Sequence, residues 1–216
     1  YLKANVFNGL HGRALPPAQA IKMVNKNLKV IMSSGDGDSY GEGGNHFIHN
    51  IRRNVDIVQL VHNNQIYGLT KGQGSPTTSK GQQTSMQFEG TYLNPLKPLS
   101  IAISAGATFV ARSSAGDTVH LKEMIQKAIN HKGYALVEIL QPCVVFNKVN
   151  TYKWYKDRVY KLDENYDPRN RYEAFKKAEE FGDEGIPIGI LYLDESKESY
   201  HEAHPVLKSG VNLIDR

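Results

Sequence analysis

The sequence has a single cysteine, Cys143, among its 216 residues. One thiol cannot form a disulfide within the chain or, by itself, a cysteine-based metal site, and it favours a reducing, cytoplasmic setting. No apolar stretch approaches the roughly 18 residues that a helix needs to cross a bilayer. The first residues, YLKANVFNGLHGR, also lack the charged-then-apolar order of a signal peptide. The sequence therefore predicts a cytoplasmic protein that makes no membrane contact.

Runs of lysine and arginine are also absent, and no basic stripe is interleaved with aromatic residues. The net charge of +4 therefore gives little support to a nucleic-acid partner. The basic excess lies in residues 1–108, where 10 Lys and Arg stand against 5 Asp and Glu. Because most glycines lie in the same half of the chain, we expect an anionic small molecule to bind there.

Short apolar runs alternate with amphipathic stretches over residues 1–143. The apolar runs are short and rich in β-branched residues, which predicts buried strands at 29–33, 56–62, 108–111 and 135–140. The amphipathic stretches predict helices at 15–24, 45–53, 98–106 and 119–131. Alternating strands and helices are typical of a doubly wound, mostly parallel α/β sheet with helices on both faces.

The composition changes after Gln141, where tyrosine and charged residues become frequent. One helix is predicted at 171–181 and one further strand at 186–193. We interpret residues 1–143 as the α/β domain that binds the ligand. Residues 144–216 are interpreted as a C-terminal extension that packs on this domain or on a partner subunit.

A glycine-rich turn, Gly35-Asp36-Gly37, follows the first predicted strand, and Asn64 follows the next strand 28 residues after Asp36. Because the carboxyl ends of parallel strands meet at one edge of a sheet, we expect both side chains at the same rim. A carboxylate, an amide oxygen and the main-chain carbonyl of Ile66 are hard oxygen ligands. With two phosphate oxygens and a water they would complete an octahedral Mg²⁺ site.

The spacing of GDG and NN is the pattern of thiamin diphosphate enzymes. The longer string GDGDxxxxGGNHxxHxxRRN…NNxIYGxTKGQxSPTT resembles the β subunit of 2-oxoacid:ferredoxin oxidoreductases. LHGRALP before it, and LQPCVxFN and TxxWxKxRVYxL after it, fit the same pattern. The resemblance covers roughly residues 1–162 and implies the diphosphate-binding module of the thiamin diphosphate fold.

The resemblance also implies roles for individual residues. It assigns Mg²⁺ to Asp36, Asn64 and the carbonyl of Ile66. It assigns thiamin diphosphate to a second set: His11, Gly37, Asp38, Gly68 and Leu69. Lys71 could pair with a substrate carboxylate or be an ordinary loop lysine, and the sequence favours neither.

The activity that the resemblance implies is oxidative decarboxylation of a 2-oxoacid of the 2-oxoglutarate or pyruvate type. Coenzyme A would accept the acyl group, and ferredoxin would accept the electrons. In such enzymes the acid that activates the cofactor lies on a pyrimidine-binding domain, which we expect on a separate α subunit. We therefore assign no catalytic acid or base to this chain and expect activity only in a heterodimer.

Cys143, in the segment LQPC, matches one cysteine ligand of a [4Fe–4S] cluster in this family, whose other three ligands lie in the amino-terminal region. Such a cluster needs four thiolates, and the sequence has one. We expect the other three upstream of Tyr1, the alternative being a variant that has lost the cluster. Without the resemblance, a lone cysteine after a strand indicates a small buried apolar residue.

Two other functions fit parts of the sequence. One is a non-oxidative thiamin diphosphate-dependent decarboxylase or transferase, which would not reduce ferredoxin. The other is a phosphate-binding or dinucleotide-binding module without thiamin chemistry, because GEGGNH loosely resembles a glycine-rich phosphate loop. The sequence lacks GxGxxG directly after a strand, and it lacks GxxxxGK[ST] altogether, which weighs against the second alternative.

Overall fold

The strands of this chain form one six-stranded sheet in the computed structural model, which describes residues 3–208. In chain order they are β1 (Ile31–Gly35), β2 (Val58–Asn63), β3 (Phe109–Ser114), β4 (Ala135–Leu140), β5 (Val159–Lys161) and β6 (Ile186–Leu193). The α-helices among these residues are α1 (Leu15–Val24), α2 (Gly44–Arg53), α3 (Pro98–Ser104), α4 (Thr118–Asn130), α5 (Tyr152–Lys156), α6 (Arg171–Glu179), α7 (Tyr200–Ala203) and α8 (Pro205–Lys208). A π-helix, Gly37–Glu42, links β1 to α2.

The strand order is β1-β2-β4-β3-β6-β5, and all neighbouring strands are parallel except β3 and β6. Every residue of β3 and β4 is buried, as the nearly continuous apolar sequence of β4 predicts for a central parallel strand, whereas β3 buries Arg112, Ser113 and Ser114 in its second half. The mostly parallel α/β fold predicted from the sequence is confirmed. No helix within residues 3–208 is long and apolar enough to cross a membrane.

Helices cover both faces of the sheet, which makes it doubly wound. On one face the core includes side chains of α1, α2, α3 and α6, with Phe47 and Leu99 fully enclosed. On the other face, Met124 and Ala128 of α4 pack on β3 and β4. Two apolar layers on opposite faces hold the carboxyl ends of the strands in fixed positions along one edge of the sheet.

The first strand differs from its prediction, since β1 spans Ile31–Gly35 and not residues 29–33. Pairing with β2 draws Ser34 and Gly35 into the sheet, opposite Val61 and His62, although both residue types have weak strand preference. Asp36 consequently lies directly after the last paired residue. The chain beyond residue 143 adds β5 and β6 to the sheet, and α6 contacts α3.

Candidate functional site

A cleft of about 790 Å³ opens at the carboxyl ends of β1 and β2. Ligands bind at this edge in open α/β sheets, and the volume is in the range of small-molecule and cofactor sites. Eight of the site residues predicted from the sequence line it: His11, Asp36, Gly37, Asp38, Asn64, Ile66, Gly68 and Leu69. The fold therefore brings together residues that are up to 58 positions apart in the chain.

Asp36 is the buried carboxylate of this cleft, with only 1% of its surface exposed. Its Oδ2 accepts hydrogen bonds from Ser75 Oγ at 2.5 Å and Thr77 Oγ1 at 2.7 Å. Its Oδ1 accepts only a long contact from the main-chain N–H of Asn64, at 3.4 Å. Burial raises the pKa of the Asp36 carboxyl, and the hydrogen bonds only partly offset this. All three donors are neutral, so no positive charge among them compensates the buried anion.

The second segment of the candidate magnesium site is the turn from Asn64 to Ile66. Asn64 Oδ1 accepts the Ile66 N–H at 3.0 Å, while Asn147 Nδ2 donates to the Asn64 carbonyl at 2.9 Å. In residues 3–208 no three His, Cys, Asp or Glu side chains cluster as metal ligands. A metal here would therefore depend on one carboxylate, one amide and main-chain oxygen. That donor set suits Mg²⁺, and the uncompensated Asp36 Oδ1 fits a cation.

Gly37 and Tyr67 form a contact that only glycine permits. A Cβ at Gly37 would overlap the Tyr67 ring, so any larger residue would displace the ring or the π-helix. The Tyr67 hydroxyl donates to the Glu42 carboxylate at 3.2 Å. Burial and Glu42 together raise the Tyr67 pKa, which keeps the phenol protonated. Neither Tyr67 nor Glu42 was predicted as a site residue.

Asp38 holds the turn that presents His11. Its Oδ1 accepts the main-chain N–H of Gly12 at 2.7 Å, and Gly12 has a left-handed φ of 71°. His11 Nδ1 lies 3.4 Å from Glu42 Oε2 and 3.9 Å from Asp38 Oδ1. The Asp38 carboxylate thus stabilises the loop that presents His11.

Two predicted site residues, Lys71 and Cys143, do not line the cleft. Lys71 is exposed on the loop after β2, with a φ of 80°. Cys143 is half-buried, and its Sγ lies 3.8 Å from where a Cβ on Gly68 would be. The thiol therefore lies beside the cleft wall and does not line the cleft.

A row of buried polar side chains runs from Asp36 into the sheet, and its other members are not among the site residues predicted from the sequence. Thr77 Oγ1 lies 2.9 Å from Asn63 Oδ1, and Asn63 Nδ2 donates to Glu138 Oε1 at 3.0 Å. Arg112 Nε donates to Glu138 Oε2 at 2.7 Å. In the sequence, the charge that marks this row is Glu138 inside the otherwise apolar run ALVEIL, whereas Arg112 directly follows the predicted strand 108–111 and lies inside β3 only in the structure.

Two protein-family models match this chain. Residues 1–139 match the thiamine pyrophosphate enzyme, C-terminal TPP binding domain. Residues 143–209 match the C-terminal part of the pyruvate ferredoxin oxidoreductase beta subunit. The first match contains every predicted site residue except Cys143.

Relatives of known family match along nearly the whole chain. Subunit beta of 2-oxoacid:ferredoxin oxidoreductase 2 from Aeropyrum pernix is 45% identical, covering 94% of this chain and 69% of its own. The subunit beta from Saccharolobus solfataricus is 45% identical, covering 93% and 69%. The chain thus spans about two thirds of the length of these relatives.

A solved structure matches in three dimensions as well. It is 2-oxoglutarate:ferredoxin oxidoreductase from Magnetococcus marinus with 2-oxoglutarate, coenzyme A and succinyl-CoA bound. The TM-score is 0.88 at 34% identity, covering 92% of this chain and 68% of that one. The resemblance read from the sequence is confirmed: this chain belongs to the β subunits of 2-oxoacid:ferredoxin oxidoreductases, a family of thiamin diphosphate-dependent oxidoreductases.

Proposed function

We propose that this chain binds Mg²⁺ and thiamin diphosphate in the cleft and, with an α subunit, oxidatively decarboxylates a 2-oxoacid of the 2-oxoglutarate or pyruvate type. Coenzyme A takes up the acyl group, CO₂ is released, and ferredoxin accepts the electrons. The observation that supports this most strongly is the buried Asp36 carboxylate. It lies at the carboxyl edge of the sheet and has only neutral hydrogen-bond donors.

Mg²⁺ would be held by Asp36, by the side-chain oxygen of Asn64 and by the main-chain carbonyl of Ile66. Asp36 brings the one negative charge in this set, and Asn64 and Ile66 bring dipoles that need no desolvation of a further anion. An ion bound by these residues would neutralise phosphate charge. Asp36 directly follows β1 and residues 64–66 directly follow the neighbouring β2, so the sheet brings both segments to the same edge.

The cofactor would contact the remaining predicted residues: His11, Gly37, Asp38, Gly68 and Leu69. Bound thiamin diphosphate supplies a nucleophilic carbon and a sink for electrons, while the protein supplies binding and orientation. The main-chain N–H groups of Gly37 and Asp38 can donate to phosphate oxygens. His11 can donate a further hydrogen bond, since its ring is half-exposed at the cleft. Leu69 is 94% exposed, and we propose that it contacts the cofactor rings in the assembled enzyme.

Lys71 keeps its two interpretations. It is exposed on the loop after β2 without lining the cleft, so it is either a contact for a substrate carboxylate in the assembled enzyme or an ordinary loop lysine. The cytoplasmic location is still a prediction. The division of the chain into a domain of residues 1–143 and a C-terminal extension of residues 144–216 is also still a prediction.

We expect the purified chain alone to show no 2-oxoacid-dependent reduction of ferredoxin, whereas the complex with its α subunit reduces it. The reason is that the acid that activates the cofactor is expected on the α subunit, and the rim of the cleft on this chain is open at Leu69. Spectrophotometric ferredoxin reduction with coenzyme A and 2-oxoglutarate or pyruvate measures this, and omission of thiamin diphosphate is the control. Rapid turnover by the isolated chain contradicts the need for a partner, and decarboxylation that leaves ferredoxin oxidised supports the non-oxidative alternative.

We further propose that Cys143 is one ligand of a [4Fe–4S] cluster whose other thiolates come from outside these 216 residues. In the complete complex, Cys143→Ser is expected to lower the iron content and to abolish ferredoxin reduction. Thiamin diphosphate affinity should stay at the wild-type level, because Cys143 Sγ does not open into the cleft. Iron analysis, visible absorbance and calorimetry on one preparation separate these effects. A full iron complement with normal ferredoxin reduction would return Cys143 to a buried structural thiol.

A further inference from the structure

The loop Ser75-Pro76-Thr77-Thr78 contacts both segments of the candidate magnesium site. Ser75 and Thr77 each place a hydroxyl on Asp36 Oδ2, at 2.5 and 2.7 Å. These residues follow Asp36 by 39 and 41 positions. The loop therefore reaches the GDG turn by tertiary folding and not through a local motif.

The same loop is bonded to the turn that contains Asn64 and Ile66. Gln65 Nε2 donates to the Thr77 carbonyl at 2.9 Å, and Thr78 Oγ1 donates to the Gln65 carbonyl at 2.7 Å. Gln65 has a φ of 57°, a left-handed value that is unusual outside glycine and is held here by these bonds. Through its four residues, the loop connects the Asp36 carboxylate to the Asn64–Ile66 main chain.

These hydrogen bonds are buried, so water does not compete for them. Thr77 is 4% exposed, Thr78 is 3% exposed and Gln65 is 1% exposed. Water does not readily replace a hydrogen bond that is lost at such depth, and an unpaired buried polar group is costly. The alternative hydrogen-bond partners for Asp36 are consequently few.

The two carboxylate oxygens of Asp36 differ in their hydrogen-bond partners. Oδ2 accepts both hydroxyls, whereas Oδ1 has only the 3.4 Å contact with the Asn64 N–H. The Thr77 hydroxyl has one proton, and Oγ1 lies nearer to the Asp36 carboxylate than to Asn63 Oδ1. Thr77 therefore donates its hydrogen bond to Asp36. Asp36 Oδ1, which lies on the side of the Asn64 turn, is therefore available to bind a cation.

We propose that Ser75 and Thr77 are positioning residues for a divalent cation site: their hydroxyls orient the Asp36 carboxylate, and the loop that carries them is bonded to Gln65 of the Asn64–Ile66 turn through the Thr77 carbonyl and the Thr78 hydroxyl. They do so without touching the cation or the cofactor. The inference deepens the proposed function, on which it rests. Residues that orient metal ligands typically change metal affinity by about 10- to 100-fold when they are removed.

The test is Mg²⁺ titration of the complete complex at a fixed thiamin diphosphate concentration, with cofactor binding followed by calorimetry. Thr77→Val removes the hydroxyl and keeps the shape, and we expect it to raise the half-saturating Mg²⁺ concentration roughly 10- to 100-fold. Ser75→Ala should act in the same direction, which provides a second variant if Thr77→Val folds poorly. Thr77→Ser restores the hydroxyl and should bring Mg²⁺ affinity back towards the wild type.

Thr108→Val is the matched control. Thr108 is fully buried, and its Oγ1 donates to Asn54 Oδ1 at 2.9 Å, at the opposite end of β3 from the cleft. This variant should lose stability but keep wild-type Mg²⁺ affinity. Unchanged affinity in folded Thr77→Val and Ser75→Ala would overturn the inference while leaving the proposed function intact. If the wild-type complex bound no thiamin diphosphate with Mg²⁺, the proposed function and the inference would both fail.

Discussion

Asp36→Asn is expected to abolish Mg²⁺-dependent thiamin diphosphate binding while leaving the unliganded chain folded. Asparagine has nearly the shape of aspartate but no charge, and Asp36 is the only charged member of the proposed ligand set. Ser75 and Thr77 can reorient their hydroxyls towards an amide, because a hydroxyl both donates and accepts. The buried network therefore survives the substitution, although the cation site does not.

The thermal stability of the same variant should not fall. A carboxylate that is 1% exposed is costly to desolvate, and burial raises its pKa accordingly. Removing that charge removes the cost, so we expect the Tm of the unliganded Asp36→Asn chain to equal or exceed that of the wild type. Calorimetric titration with Mg²⁺ and thiamin diphosphate measures the loss of binding, and scanning calorimetry measures Tm.

Asp183→Asn provides the control for the loss of one negative charge. The Asp183 side chain is 91% exposed and pairs with Arg158, on the far side of the sheet order from β1. This variant should bind the cofactor as the wild type does. Near-wild-type cofactor affinity in Asp36→Asn would show that the magnesium ligand has been wrongly assigned.

The sequence predicted the α/β fold because short apolar runs alternate with amphipathic stretches, although β3 extends to Ser114 and its predicted strand ended at residue 111. β4 spans the predicted residues, and α1 does as well. The α4 start was predicted one residue late, since the Asp117 side chain caps the helix at His120 N–H and includes Thr118. The π-helix Gly37–Glu42 could not be foreseen, because its single-turn geometry is imposed by contacts with Tyr67 and Gly12 and not by local preference.

The site was only partly predictable for a related reason. Residues at strand ends, such as Asp36 and Asn64, are placed by the sheet, and the topology rule finds them. Ser75 and Thr77 reach Asp36 because the loop after β2 folds back through the isolated bridge between Tyr67 and Gln73. The path of that loop depends on tertiary contacts, which no periodicity in the sequence records.

Arg112→Met is expected to lower the free energy of unfolding by about 3 to 5 kcal/mol, the usual cost of leaving a buried charge without its partner. Arg112 and Glu138 have side-chain exposures of 3% and 1%, and Nε lies 2.7 Å from Oε2. Arg112 also donates to the Glu180 carbonyl at 3.3 Å and lies over the Phe181 ring. Its loss would leave Glu138 with the Asn63 amide as its remaining hydrogen-bond donor among the described residues.

Urea unfolding followed by fluorescence of the single tryptophan, Trp154, gives the free energy. Arg169→Met is the matched control, because Arg169 pairs with Glu195 at 3.1 Å while both side chains are more than 60% exposed. Exposed pairs contribute about 0 to 1 kcal/mol, so this variant should unfold almost as the wild type does. The double variant Arg112→Met with Glu138→Gln removes both charges and should recover much of the stability lost in the single variant. If Arg112→Met were no more destabilising than Arg169→Met, the Arg112–Glu138 pair would have no structural role, and Glu138 would be compensated by Asn63 alone.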